Sequence, residues 1–328
     1  MLYDEILTKA GTALLRTFCR FPYRGFYPSN LAKESKVSVT HTNRILKILS
    51  ENNIVSIRKV GRHDIYKLNL ESRLSRELLA LFHLERRLEI DPEFRVGLEE
   101  FVRKLKRSLG NHLKSIILFG SVAKGEQRKE SDIDIVIITD NFKQAKKVVD
   151  KLFKELAGLY TYLIEEHLYT EEDFDMAYKL GNDLIINVLK DGIILHDTGF
   201  IPKYLKKLPT PTREHIEKIL NSARESLHEA DELSKRSPQS AISSIRSMVR
   251  DSCRIILLLN GIIPGSKHNL PKQIEQINPK HAKLLREINK LYHEYMEEGK
   301  RIDRETIVDY IIKSENLLKY ALRLFETK

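Results

Sequence analysis

The chain has 328 residues, 41% of them apolar, which suffices for two or three folded domains and excludes an intrinsically disordered protein. Its two cysteines, Cys19 and Cys253, lie far apart and exclude a disulfide framework or a cysteine-based zinc site; with no basic-then-apolar leader and no apolar run of spanning length, a cytoplasmic protein without a membrane partner is expected. Lys and Arg number 56 against 46 Asp and Glu, a net charge of +10 that points to an anionic partner.

That charge gathers at the front, where residues 1–70 hold twelve Lys or Arg and five Asp or Glu. Residues 6–19 (ILTKAGTALLRTFC) space their apolar side chains as a helix does, and a second short helix is expected over 29–37. Residues 38–53 (SVTHTNRILKILSENN) predict a third, capped by Ser38, with Val39, Ile45, Ile48 and Leu49 on its apolar face. Residues 54–69 alternate like two strands around Gly61. Three helices and a basic hairpin are the order of a winged helix-turn-helix, expected over 1–72. In that reading Thr40, Thr42, Asn43, Arg44 and Lys47 enter a groove of DNA or RNA, and Arg58, Lys59, Arg62 and His63 sit on a wing that meets phosphate. A protein-docking or dimer module is the other use of such a fold.

Residues 73–94 read as a connector helix, and a second domain is expected over 95–205. Its elements are a helix after Pro92, a strand at 114–120 (KSIILFG), a strand at 132–139 (DIDIVIIT), a helix at 143–158 and a strand at 162–170. Strands alternating with helices make this an α/β unit. On the second strand Asp132 and Asp134 point to one face, about 7 Å apart along the chain. Two carboxylates so placed suit divalent ions roughly 4 Å apart, the arrangement that clamps nucleophile and leaving group in phosphoryl transfer. Gly120 and Ser121 follow the first strand and open a short helix whose free backbone N–H groups favour a phosphate, with Lys124 one turn on.

Gly120 and Ser121, ten intervening residues, then Asp132 and Asp134 together resemble the signature of the DNA polymerase β superfamily of nucleotidyltransferases, and closely its minimal nucleotidyltransferase branch. The resemblance implies that Gly120, Ser121 and Lys124 hold a nucleoside triphosphate, ATP or another, and that Asp132 and Asp134 hold Mg2+. It also implies a third carboxylate on a later strand that helps to activate the acceptor. Glu165 and Glu166 are the candidates; alternation allows one of them to face the site and does not say which. His167 shares a face with Glu165.

A third domain is expected over 206–328; from 212 on no strand-like run occurs, and four or five helices are expected, among them one ending at Asn260-Gly261. Residues 286–295 (REINKLYHEY) place Arg286 and His293 seven apart, two turns along one helix face or about 10.5 Å in rise. With the preceding SAISS and NGIIPGSKHNLP segments this order resembles HEPN domains. That resemblance implies Arg286 on phosphate charge, His293 as acid or base, Tyr295 as a target for AMP, and a homodimer. The motif departs from the family, which more often begins Arg-Asn and has four intervening residues.

The expected architecture is therefore a multidomain α/β protein: a winged helix-turn-helix, a nucleotidyltransferase domain on a mixed sheet, and a C-terminal α-helical bundle. The function expected from it is Mg2+-dependent transfer of AMP from ATP to a protein hydroxyl or to RNA, in a DNA-binding protein of toxin-antitoxin type. Two alternatives stay open: a nucleic-acid-binding regulator with a degenerate nucleotide domain, and a small-molecule nucleotidyltransferase of the aminoglycoside-modifying type.

Overall fold

Apolar stripes and polar caps build the N-terminal helices. The computed structural model describes residues 7–127, 132–156, 164–267, 269–296 and 298–328. Helix α1 (Lys9–Arg20) starts where the Thr8 hydroxyl accepts the Gly11 N–H at 2.9 Å, and it buries Leu14, Leu15, Phe18 and Cys19. After α2 (Pro28–Ser35), Ser38 caps α3 (Val39–Glu51) by accepting from the His41 N–H. The buried stripe of α3 is Thr42, Ile45, Leu46 and Leu49, an i, i+3, i+4, i+7 set. It is rotated from the expected face, so Val39 stands 49% exposed. Strands β1 (Val55–Val60) and β2 (His63–Leu68) pair antiparallel with Val60 opposite His63, and Gly61 takes the left-handed φ of +61° that this two-residue turn requires. Three helices and a hairpin thus occur in the expected order.

Helix α4 (Arg73–Glu89) packs on α1 and on the last strand of the central sheet. Asp91 caps α5 (Pro92–Leu109), with Pro92 in the first turn. The sheet has the order β5-β4-β3-β6 and is mixed: β3 (Leu113–Phe119) runs antiparallel to both β4 (Ile133–Thr139) and β6 (Ile193–Asp197), while β5 (Ile164–Thr170) runs parallel to β4. The β4–β5 crossover carries α7 (Phe142–Leu156), as a parallel pair demands. Ile133, Ile135 and Ile137 point with Ile116 and Leu118 into a core built with α5 and α7, which contribute Phe101, Leu105, Ala145 and Val149. The other face turns Ile117, Val136 and Ile138 toward Phe174 of α8 (Glu171–Lys179) and Ile185, Val188 and Leu189 of α9 (Asp183–Asp191). The five-residue helix α6 (Gly120–Lys124) follows β3 directly. The chain is mixed α/β and mostly helical.

Two compact units result, residues 1–179 with 184–209, and residues 180–183 with 210–328. The second is helical in its described residues: α10 (Arg213–Arg236), α11 (Ala241–Leu259), α12 (Leu270–Glu275), α13 (Pro279–Met296) and α14 (Arg304–Thr327). Helix α11 buries side chains on nearly every side, from Ile242 and Ile245 to Ile255, Ile256 and Leu257, and packs against α10, α13 and α14. Inside this unit the Arg254 guanidinium donates to both oxygens of Asp183, and His215 approaches the same carboxylate at 3.0 Å. Burial alone would raise the Asp183 pKa; these two partners outweigh it and hold the carboxyl well below its usual range.

Candidate active site

Three strands bring the candidate residues to one face of the sheet. Phe119 at the end of β3 pairs with Asp134 on β4, and Asp134 stands in parallel register with Glu165 on β5. Register partners point to the same side, so the register settles what alternation left open: Glu165 shares the face of Asp134, and Glu166 faces the opposite side. There Lys146 of α7 binds Glu166 at 3.0 Å, and this hydrogen bond raises the lysine pKa. His167 follows two residues after Glu165, its Nε2 4.0 Å from the Glu165 carboxylate and its ring 5.4 Å from that of Phe119. Asp132 sits immediately before β4.

The glycine of the motif is required twice. Gly120 has φ +75°, and a Cβ built there would lie 1.9 Å from Asp134 Oδ2. Only a residue without a side chain lets the carboxylate of β4 press against the backbone that opens α6. No side chain caps α6, and Ser121 is its second residue. Gly125, with φ +72°, closes the far end, where the Glu126 N–H donates to the Ser121 carbonyl at 3.0 Å. Lys124, expected to reach phosphate, pairs with Asp191 at 3.0 Å.

The donor set fits the expected metal in kind. Asp132, Asp134 and Glu165 offer carboxylate oxygens, the ligands that Mg2+ prefers, and Gly120 leaves room beside Asp134. Among the described residues no ready-made group of three or more His, Cys, Asp or Glu side chains is gathered as a metal site.

The other candidates fall into two groups. On α3 and the hairpin, Thr40, Asn43, Arg44, Lys47, Arg58, Lys59 and Arg62 are all exposed. Thr42 is a correction: it is 0% exposed because it belongs to the buried stripe of α3, and it presents nothing to a partner. On α13, Arg286 and His293 are exposed along one side, and Arg286 is ion-paired with Glu275 of α12, which raises its pKa. Tyr295 lies 200° around the helix from His293 and packs against the core of the helical unit. The motif is thus split between two faces.

Sequence reasoning passed over β6, which completes the sheet beside β3, and Arg86 of α4. Arg86 donates to the carbonyls of Ala123, Asp191 and Gly192 at 3.0, 2.8 and 3.2 Å. A charged residue in a charged helix gives no signal of such a role.

Comparison with known proteins places the same segment in a family. A family described as nucleotidyltransferase domain matches residues 98–196, which begin in α5 and end in β6. MJ1305 of Methanocaldococcus jannaschii, provisionally named a protein adenylyltransferase, is 33% identical over 114 residues, covering 34% of this chain and 78% of that protein. MJ0604 of the same organism, named in the same way, is 35% identical over 101 residues, covering 30% of this chain and 95% of that protein. Among solved structures, the spectinomycin adenyltransferase AAD(9) from Enterococcus faecialis aligns with a TM-score of 0.46 at 14% identity, over 68% of this chain and 98% of that one. A likeness at that level bears on neither substrate nor mechanism.

Proposed function

The chain belongs to the nucleotidyltransferase domain family and is a nucleotidyltransferase enzyme that takes a nucleoside triphosphate; from that premise we propose that it moves AMP from ATP to a hydroxyl group of a protein. The observation that carries this reading is the meeting of Gly120, Asp134 and Glu165 from three separate strands and turns. The relatives named as protein adenylyltransferases favour a protein acceptor.

In this reading the backbone of Gly120 and Ser121 holds the triphosphate, and Asp132 and Asp134 are the residues that would hold Mg2+. When bound, that ion supplies charge neutralisation along the triphosphate and its leaving group. Glu165 takes the proton of the attacking hydroxyl, whose oxygen bonds to the α-phosphorus as the bond to pyrophosphate breaks. Its partner Asp134, locked against Gly120, fixes the line along which this happens.

The N-terminal helices and hairpin act as a winged helix-turn-helix on DNA or RNA, which the exposed Asn43, Arg44, Lys47, Arg58, Lys59 and Arg62 support. The helical unit is read as HEPN-like and dimeric, with Arg286 and His293 on phosphate, in a cytoplasmic protein of toxin-antitoxin type. No described helix is long and apolar enough to cross a membrane, and both cysteines are buried and free, in keeping with a reducing compartment.

The test is incubation with each labelled nucleoside triphosphate and magnesium, with and without total RNA, followed by intact mass. Label from ATP on protein, absent in the Asp132→Ala/Asp134→Ala variant, is the expected result. Label on RNA alone would replace the acceptor; undiminished labelling in the variant would remove the mechanism.

A further inference from the structure

Helix α6 is only five residues long and carries the nucleotide-holding backbone at its start, so what fixes its end also fixes Gly120 and Ser121. Its start is set by the contact of Gly120 with Asp134. Its end is set from outside. The Arg86 guanidinium spans two separate chain segments, donating to Ala123 in α6 and to Asp191 and Gly192 in the turn between α9 and β6. That turn is closely packed: a Cβ at Gly192 would lie 2.3 Å from the Val188 carbonyl and 2.8 Å from the Ile117 side chain. Asp191 closes the arrangement by offering its carbonyl to Arg86 and its carboxylate to Lys124, the last residue of α6.

We propose that Arg86 is a positioning residue for nucleotide binding, and that α4 is a structural part of the nucleotide site rather than a linker. This inference rests on the nucleotidyltransferase reading and adds a residue that lies before the family-matched segment, which begins at 98. Three features of the geometry carry it. Arg86 reaches carbonyls far apart in sequence, and only a planar, forked donor meets three of them at once. It is half-buried, and its bonds to the three carbonyls are part-buried with it, so a lost donor there is costly to replace. The next-door Glu85 is held by Arg16 of α1 through both of its carboxylate oxygens, while Arg87 donates to the Leu195 carbonyl of β6 at 3.1 Å. The last turn of α4 is thereby anchored on each side of Arg86. Without that guanidinium, α6 keeps its attachment to β3 and the Lys124–Asp191 pair but loses the backbone tie at Ala123 that helps to aim its first N–H groups.

Equilibrium dialysis against labelled ATP with magnesium, without any acceptor, reads this directly. Arg86→Met is expected to raise the Kd for ATP about tenfold, and Arg86→Lys, which keeps the charge but lacks the planar fork, about threefold. Leu49→Ala, a cavity in the core under α3, serves as the destabilised control: it lowers the melting temperature and leaves ATP affinity unchanged. A folded Arg86→Met that binds ATP as the wild type does overturns the inference, and so does a Leu49→Ala that loses affinity in parallel. If Arg86→Met fails to fold, Arg86→Lys decides: wild-type affinity overturns the inference, threefold weakening with the control unchanged sustains it. A wild type that binds no nucleoside triphosphate overturns both this inference and the reading beneath it.

Discussion

The acidic end of the sheet and the exposed face of α13 both carry residues that match a motif, and they differ in how those residues are brought together. Gly120, Asp134 and Glu165 come from different elements and meet through strand register and a close backbone approach. Arg286, His293 and Tyr295 lie on a single helix, where 3.6-residue periodicity places the first two on one side and sends the third into the core. A helix of charged residues produces such spacings without any selection for a site. Convergence of separate elements needs the whole fold, so it is the stronger sign of chemistry.

The contrast can be broken by mutation, most sharply at the carboxylates. Asp134→Ala is expected to cut AMP transfer on the order of 1000-fold in a labelled-ATP assay if it holds the metal as proposed. Gly120→Ala forces a Cβ into the Asp134 carboxylate at a φ unfavourable to alanine; transfer is expected to fall about 100-fold and unfolding free energy by roughly 1–3 kcal/mol, read by denaturant titration. Glu165→Gln is expected to cost about 30-fold in the same transfer assay, and Glu166→Gln less than threefold because that side chain serves Lys146 on the far face. Equal losses at the two glutamates would refute the register argument.

Stability sharpens the same comparison. His83, buried on α4 with no hydrogen-bond partner for Nδ1 among the described residues, has its pKa pushed down to about 3, by burial first and by the Arg86 charge second. The folded protein keeps this imidazole neutral while the unfolded chain protonates it below about 6.5, so its contribution is fully present above that pH and is lost as pH falls toward about 3. The loss is on the order of 5 kcal/mol across that window. Thermal melts between pH 7 and 4 should show it, and His83→Leu should flatten the dependence. At the other extreme, Arg286→Ala removes an exposed ion pair with Glu275; the melting temperature is expected to stay within about one degree and AMP transfer within twofold. A large fall in transfer would draw α13 into the catalytic site.

Much of this was readable in the sequence wherever local chemistry decides. Ser38 and Pro92 announce helix starts, Gly61 a hairpin, and Gly120-Ser121 with Asp132 and Asp134 a turn and a strand of one motif. What depended on partners far along the chain was not readable. Alternation alone left Glu165 and Glu166 equivalent, because only the pairing of β5 with β4 assigns their faces. The pairing of Lys124 with Asp191, 67 residues further on, has no local sign either. Thr42 looked exposed because a one-position rotation of the apolar stripe is invisible when Val39 and Ile48 fit nearly as well.

The position of β5 at the end of the strand order has a consequence for dynamics. Edge strands open more readily than central ones, and this one is joined to its neighbour by a parallel pairing across an intervening helix. Gly120, Asp132 and Asp134 belong to the interior strands β3 and β4 and the turns beside them, whereas Glu165 rides on the edge. In the proposed mechanism, a local opening that detaches β5 leaves Gly120, Asp132 and Asp134 in place and takes Glu165 away from Asp134. Hydrogen exchange along residues 164–170 therefore measures how often Glu165 is detached from the strand that carries Asp134.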